Sequence, residues 1–355
     1  MTLQDKTSDI MVSHAIEVDK YAISEKKRIL SEFSFILNQI KKELAEGNKE
    51  VTLADLRQMQ SKASKIFLAG AKLIKKNMFD DSEELMILEA EEQVKMLQEL
   101  INDYIPMYTI RDPYIANTKR NIKNEPIKGV SVAGWLDVWE TKTNNIIKSE
   151  LYNAFTAPDE AEDRYGIIEY VFGTGKNPLL ADTFRLPTKH LGDLSLSLTG
   201  LTMAETTTSI GNANSGIIKG EQWNSCLCAT TCASCSSLHG AINYYNGQDE
   251  TDGNSIPLHP NCMCFWTYIY KDPKDMSTQV VSAQKKNITS DKDLPTFQVW
   301  YNGVSEKRKI DLFGKTRTAM LDAGTIKISS LVSSTNRRFY TLDELKNKGY
   351  RLPKN

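Results

Sequence analysis

Six cysteines fall between positions 226 and 264, and none lies elsewhere in the 355-residue chain. They are Cys226, Cys228, Cys232, Cys235, Cys262 and Cys264. The segment reads Cys232-Ala-Ser-Cys235 and, after a loop, His259-Pro-Asn-Cys262-Met-Cys264. Two residues between ligands let both side chains of a pair face one ion from a tight turn, and a second pair closes a tetrahedron. The simplest set is Cys232, Cys235, His259 and Cys262. Thiolates with one imidazole suit zinc, and four protein ligands leave no position for water, so the expected role is a structural staple. The segment is rich in Ser, Asn, Gly and Thr and short of aliphatics, so a metal would stand in for a missing core. Cys264 can replace Cys262 or His259, and Cys226 or Cys228 can join the set. Disulfides, or buried thiols without a ligand, are the alternatives.

Three catalytic readings fit the residues less well. A zinc deaminase needs His-x-Glu ahead of Pro-Cys-x-x-Cys. Here Thr231 precedes Cys232, and the upstream His14 and His190 run into Ala15-Ile16 and Leu191-Gly192. A thioredoxin-like centre would place Cys232 and Cys235 at a helix start after a buried strand, and Glu221 to Thr231 reads as too polar for that strand. A cysteine nucleophile with His239 or His259 as base would compete with several neighbouring thiols.

The elements around this segment read as follows. From Ile16, apolar residues recur at three- and four-residue steps through Ile23, Leu30, Phe33, Leu37, Ile40 and Leu44, and Gly47 ends the helix. A second helix opens at Thr52 with Asp55, a capping-box pair, and runs through Leu56, Ala63, Phe67, Ala71 and Ile74. A third starts near Asp81 or Ser82, carries Leu85, Leu88, Val94, Leu97 and Ile101, and stops at Pro106. Antiparallel packing of the three predicts a bundle that folds by itself over about 10–105. Pro106 to Gly129 reads as an extended connector. Helix resumes after Ser131 with Trp135, Trp139, Ile146, Ile147 and Leu151 and breaks at Pro158; another short helix spans Glu160 to Phe172. Gly173-Thr174-Gly175 lacks the Gly-Lys-Ser/Thr ending of a phosphate loop. Leu191 to Ile210 is helical in its second half. Cys264 to Tyr270 alternates as a strand, and Lys271 to Asp293 is loop-like. Gly303 to Gly314 and Thr325 to Val332 read as extended pieces around a helix with Arg317, Met320 and Leu321, and Thr341 caps a final helix with Glu344.

At 40.0 kDa, with 40% hydrophobic and 25% charged residues, the composition is that of an ordinary globular protein with room for two or three domains. No signal-peptide core or membrane-length apolar run is visible, which points to a reducing cytosol, where clustered cysteines favour metal over disulfides. Net charge is −1, but residues 306–355 hold 12 Lys/Arg against 5 Asp/Glu, a net +7, so the rest carries −8. Such a tail suits a polyanion or an acidic partner, and Lys307, Arg308, Lys309, Arg337 and Arg338 are its candidate DNA-binding residues. A solvated Lys/Arg-rich surface accounts for the same charges.

From Trp223 to Cys264 the sequence resembles the Mu F-like head-morphogenesis family of bacteriophage minor head proteins. That family's pattern has a Trp, then Asp-x-Arg-Thr-Cys-x-x-Cys, Leu-x-Gly and His-Pro-Asn-Cys-Arg-Cys. Trp223, Thr231, Cys232, Cys235, Leu238, Gly240, His259, Pro260, Asn261, Cys262 and Cys264 stand in those places. Ala204-Glu205-Thr206, with Asn212 and Gly216, is similar to the family's approach to the Trp. The resemblance covers about 130–270, and the segment from Phe313-Gly314 to Leu345 is similar to tails that follow such domains. The pattern's Asp and first Arg are Cys228 and Thr230 here, and its last Arg is Met263, so any polar role of those positions is lost while the Cys/His frame is kept.

The resemblance implies an α+β chain: an N-terminal helical region (1–110), a mixed, helix-rich Mu F-like domain (130–270) with a Cys/His-stapled loop region, and a linker with a basic C-terminal region (271–355). It implies a non-enzymatic minor capsid protein that associates with the portal, and with capsid, scaffold or phage DNA, in the virion and in the host cytoplasm during assembly. The alternatives are a phage enzyme or toxin carrying an F-like domain, and a zinc-stapled DNA-binding module. Residues 271–355 hold no His or Cys for an effector site, and 221–264 hold no Lys or Arg for reading DNA.

Overall fold

The computed structural model describes residues 3–105, 108–111, 122–157, 163–225, 232–272, 301, 306–326, 328–333 and 338–353. The fold is α+β: mostly helix, with a small antiparallel sheet. Two long helices, α1 (Leu3–Ala45) and α2 (Leu53–Asn102), are followed by a short hairpin of β1 (Pro126–Ile127) and β2 (Val130–Ser131). Next come α3 (Val132–Thr156), α4 (Arg164–Phe172) and α5 (Asp182–Ala213). The sheet has β3 (Ile218–Asn224) at its centre, flanked by β4 (Ile242–Tyr244) and β5 (Phe265–Tyr270), all antiparallel neighbours. The short helix α6 (Ala233–Leu238) lies between β3 and β4. A C-terminal unit adds α7 (Glu306–Phe313), α8 (Lys315–Asp322), the strand pair β6 (Val332–Ser333) and β7 (Arg338–Phe339), and α9 (Leu342–Asn347). Among the described residues no helix is long and apolar enough to cross a membrane.

The second and third helices expected from the sequence are one. Nothing at Asp81-Ser82 breaks a helix, and both residues are used sideways. Asp81 pairs with Arg28 of α1, which also holds Glu25 and Glu32. Ser82 shares a 3.1 Å hydrogen bond with Thr202 of α5. The Thr52 capping box with Asp55 is present as expected. The far half of α2 turns polar residues inward: Ser82, Glu89 and Gln93 are buried, while Leu88 is 57% exposed. The reason is its neighbour, the hydroxyl-bearing face of α5. Ile16 and Ile23 likewise face outward, because α1 buries Met11, Ala15, Val18, Ala22 and Ile29 instead.

Helix α5 is longer than expected, beginning at Asp182 and passing through Pro187, whose carbonyl accepts from Trp139 Nε1 at 3.1 Å. The extended reading of Gly303 to Gly314 also fails. Glu306–Phe313 is helical, since no Gly or Pro lies inside it. The helix expected over Glu160 to Phe172 forms from Arg164, capped by Asp163. Ser131, Thr341 with Glu344, and the strand before Tyr270 stand where the sequence puts them. Pro106, Pro113, Pro158 and nearly all of Lys271 to Asp293 lie outside the described residues.

The helices share one core. Phe33 of α1, Phe67 of α2, Trp139 of α3 and Phe184 of α5 meet edge to face, with ring centroids 5.4 Å apart for Phe33–Trp139 and 6.2 Å for Phe33–Phe184. Gly70 lets α1 approach α2 here, since a Cβ would sit 2.4 Å from Ile36. Arg164 ties α4 to the end of α1, donating to Asn48 O at 2.7 Å and Leu44 O at 3.2 Å.

A buried polar chain joins the helices to the sheet. His14 Nε2 meets Glu89 at 2.7 Å, Gln93 donates to Glu89 at 2.7 Å and to Thr207 at 2.9 Å, and Tyr268 Oη donates to Gln93 at 2.6 Å. Central strand β3 is buried despite its polarity, a further departure from expectation. It keeps Glu221 inside by surrounding it with donors: Thr208 at 2.9 Å, Asn243 at 2.9 Å and Tyr245 at 3.1 Å. Burial outweighs them and pushes the Glu221 carboxyl up from 4.5 to about 7.

Two outcomes follow from this arrangement. A fragment ending at 105 lacks Trp139 and Phe184, so it should keep helical circular dichroism yet melt without a cooperative transition and bind a hydrophobic dye; a sharp two-state melt would show that α1 and α2 close their own core. For Glu221, the raised folded value means its stabilisation is complete below pH 4.5 and lost as pH rises through about 7. Glu221→Gln stays neutral throughout, so its thermal midpoint relative to wild type should climb between those pH values, by up to about 3 kcal/mol in stability. Parallel pH profiles for the two proteins would contradict a buried carboxyl.

Candidate metal centre

Cysteine 232 caps α6: its Sγ accepts the Cys235 backbone N–H at 3.3 Å. One helical turn then places the Cys235 thiol beside it. The second pair comes from the turn before β5. Asn261 takes φ +63°, and Cys262 N–H donates to His259 O at 3.2 Å, closing the turn. The turn is fastened to α5, since Asn261 N–H donates to Ser197 Oγ at 2.8 Å and Ser197 in turn donates to Asp193 O at 2.7 Å.

The two halves meet. His259 Nε2 lies 3.0 Å from Cys232 Sγ and 3.2 Å from Cys235 Sγ, and the Cys235 and Cys262 sulfurs are 3.6 Å apart. Bonds of 2.0–2.3 Å to one tetrahedral ion imply ligand separations of about 3.3–3.8 Å; the 3.6 Å between the Cys235 and Cys262 sulfurs falls in that range, and the His259 contacts at 3.0 and 3.2 Å are tighter. His259 Nδ1 lies 2.8 Å from Pro260 O, and donating there leaves Nε2 with its lone pair toward the sulfurs. The donors form two triads, Cys232–Cys235–His259 and Cys235–Cys262–Cys264, each with all ligand atoms within 4.8 Å of one another. Cys235 belongs to both. The five expected ligands thus cluster through Cys235, and each triad could hold a metal ion. Cys226 and Cys228 lie outside the described residues.

Cys232, Cys235, Cys262 and Cys264 are free thiols. Without a cation their protons divide unevenly. Hydrogen bonding from Cys235 lowers Cys232 to about 5 against the opposing effect of burial. Cys262 is lowered by Cys235 and Cys264. Cys235, as donor to Cys232 and Cys262, is raised, and burial raises Cys264. His259 rises to about 9 because, although burial opposes its charge, the facing thiolates outweigh that penalty. The cluster thus favours thiolates beside a positive partner, a place that a metal ion could take.

Other candidate residues are placed apart from the cluster. His239 Nδ1 accepts the Ser225 N–H at 3.2 Å, and burial lowers its imidazole to about 4. The helix-start position of Cys232 and Cys235 after β3 is the one a redox centre would use, but here the thiols face His259 and Cys262. In the basic tail Lys309 is spent on Asp322 at 3.3 Å and on the Tyr301 ring at 4.3 Å. Arg317 donates to Tyr340 O at 2.7 Å, while Lys307 is exposed. The side chains of Arg308 and Arg338 and all of Arg337 lie outside the described residues. Ser197, which positions the ligand turn, carries no signal in the sequence, because it acts through a long-range backbone contact.

No known protein family, curated protein or solved structure matches the chain.

The shared position of Cys235 ranks the ligands. Cobalt(II) titrated into reduced protein should give thiolate charge-transfer absorption. Cys235→Ser should weaken retention more than Cys264→Ser, because only the former breaks both triads. Equal losses would mean that the two triads are not one site.

Proposed function

We propose that the chain is a non-enzymatic minor head protein of a tailed bacteriophage, associating with the portal during head assembly and DNA packaging or delivery, and that its Cys/His cluster holds one structural zinc. The observation that carries this reading is the meeting of the two halves of the frame on which the family resemblance rests, Cys232 with His259 and Cys235 with Cys262, each pair 27 positions apart in the chain. A frame retained where the pattern's Asp and Arg are replaced fits a staple better than acid–base chemistry. Three sulfurs and one imidazole fill a zinc tetrahedron and leave no position for a reacting water.

Elemental analysis of protein made under reducing conditions should find about one zinc per chain, lost in Cys232→Ser and Cys262→Ser together with the fold of 221–270. For the assembly role, heads purified from infected cells should contain the chain in few copies, and it should copurify with the portal. Absence from every head intermediate would overturn the assembly role while leaving the zinc assignment standing.

A further inference from the structure

A cavity of about 410 Å³ opens beside the metal centre, between the β1–β2 turn, α3, the first half of α5 and the His259-Pro260 turn. Small-molecule pockets span roughly 300–1,000 Å³, so it is large enough to hold one. Its lining is apolar below and cationic above. Trp139 and Leu194 are buried at the base, and Trp135 is half-buried. The two tryptophans lie one helical turn apart on α3 and share a face. Both indole N–H groups are already used, Trp135 donating to Ile127 O at 2.8 Å and Trp139 to Pro187 O at 3.1 Å. The rings therefore offer a ligand their apolar surface and no donor.

At the rim stand Lys128 from the hairpin turn, Lys142 from α3, and Lys189 and His190 from α5, all exposed. The one carboxylate in the lining, Asp193, lies 2.5 Å from Lys189. Lys128 and Lys142 have no ion-pair partner among the described residues. The His190 imidazole is held below 6.5 by burial and then by Lys189 and Lys142, whose charges outweigh Asp193. Two elements, the hairpin turn and α3, thus bring uncompensated positive charge to the mouth of an aromatic-floored cavity, and the paired Lys189 of α5 stands beside them.

We propose that this cavity binds a nucleoside phosphate, with the base against Trp135 and the phosphate among Lys128, Lys142 and Lys189. Every base has a stacking face, and with the indole donors spent the tryptophans cannot read base edges, so the site should be indifferent to base identity. The same unit occurs free or as the terminal residue of a single strand. The inference stands apart from the head-assembly reading, because neither portal association nor the zinc enters the contacts it names.

Isothermal titration of the full chain tests it with dAMP, dTMP, the corresponding nucleosides, inorganic phosphate and a 5′-phosphorylated single-stranded oligonucleotide. Both mononucleotides should bind with similar affinity, and nucleosides and phosphate should each bind at least about tenfold more weakly. Lys128→Ala with Lys142→Ala, both exposed and so harmless to the fold, should weaken nucleotide binding about tenfold at unchanged metal content. Trp135→Leu keeps apolar bulk and should lose the advantage of nucleotide over phosphate. Preference for the oligonucleotide assigns the site to strand ends, and equal affinity assigns it to free nucleotides. No binding of any nucleotide at millimolar concentration, phosphate binding as tightly as nucleotides, or unchanged binding by the double lysine variant would overturn the proposal.

Discussion

A helix buried along most of its length must satisfy every hydroxyl it carries from within, because no water reaches it. Helix α5 does this for most of its buried hydroxyls by back-bonding, while Thr188 Oγ1 and Ser195 Oγ have no partner among the described residues. Ser197, Thr202, Thr206 and Thr207 each donate to the carbonyl four residues earlier, at 2.7–3.0 Å. What remains on those hydroxyls is accepting capacity and small size, and the neighbours use both. Thr202 meets Ser82, Thr207 meets Gln93 and Ser197 receives Asn261, while the hydroxyl of Thr208 donates to Glu221. The apolar residues Leu191, Leu194, Leu198 and Leu201 on the same helix join the aromatic core of α1, α2 and α3. One helix therefore touches the helical core, the sheet and the metal turn, and the position of each depends on it.

The elements that could be read in advance are those whose signals are local. The Thr52 and Thr341 capping boxes, the Ser131 cap and the alternating strand ending at Tyr270 depend on residues within a turn or two. The Cys/His frame was legible for a related reason, since spacing alone restricts what such residues can ligate. The departures have a common cause in partners far along the chain. A polar stripe such as Ser82, Glu89 and Gln93 reads as a solvent face until an equally polar helix packs against it. Leu88 and Ile23, the better apolar matches, are displaced outward by the same choice. Strand β3 was unreadable because Glu221 is buried by donors from α5 and the strand's own neighbours, none near it in sequence. The tryptophan-floored cavity left no trace at all, because its lysines come from three separate elements.

The metal centre sits at a junction. Cys264 leads directly into β5, Asn261 is held by α5, and Ala233, next to Cys232, packs against the small core formed by Tyr301, Phe313, Met320, Leu331 and Leu345. An ion bound by both cysteine pairs would therefore fix the sheet, the central helix and the C-terminal unit with respect to one another. That is a larger effect than ordering one loop. It also accounts for the local composition, since the apolar cluster around Trp223, Leu238, Leu258 and Trp266 is small and includes the cysteines themselves.

Gln4 donates to Tyr268 O at 2.7 Å and accepts from Tyr270 N–H at 3.4 Å, across more than 260 residues of chain. On a ribosome adding about 5–20 residues each second, the start of α1 waits on the order of tens of seconds before its counterpart in β5 exists. Throughout that interval Leu3 and Met11 can meet Leu97, Leu100 and Ile101 of α2 but lack Tyr268 and Tyr270, which complete their cluster. The first turns of α1 therefore stay without their β5 partners long after they are made, and the seam between this helix and the sheet closes late in synthesis.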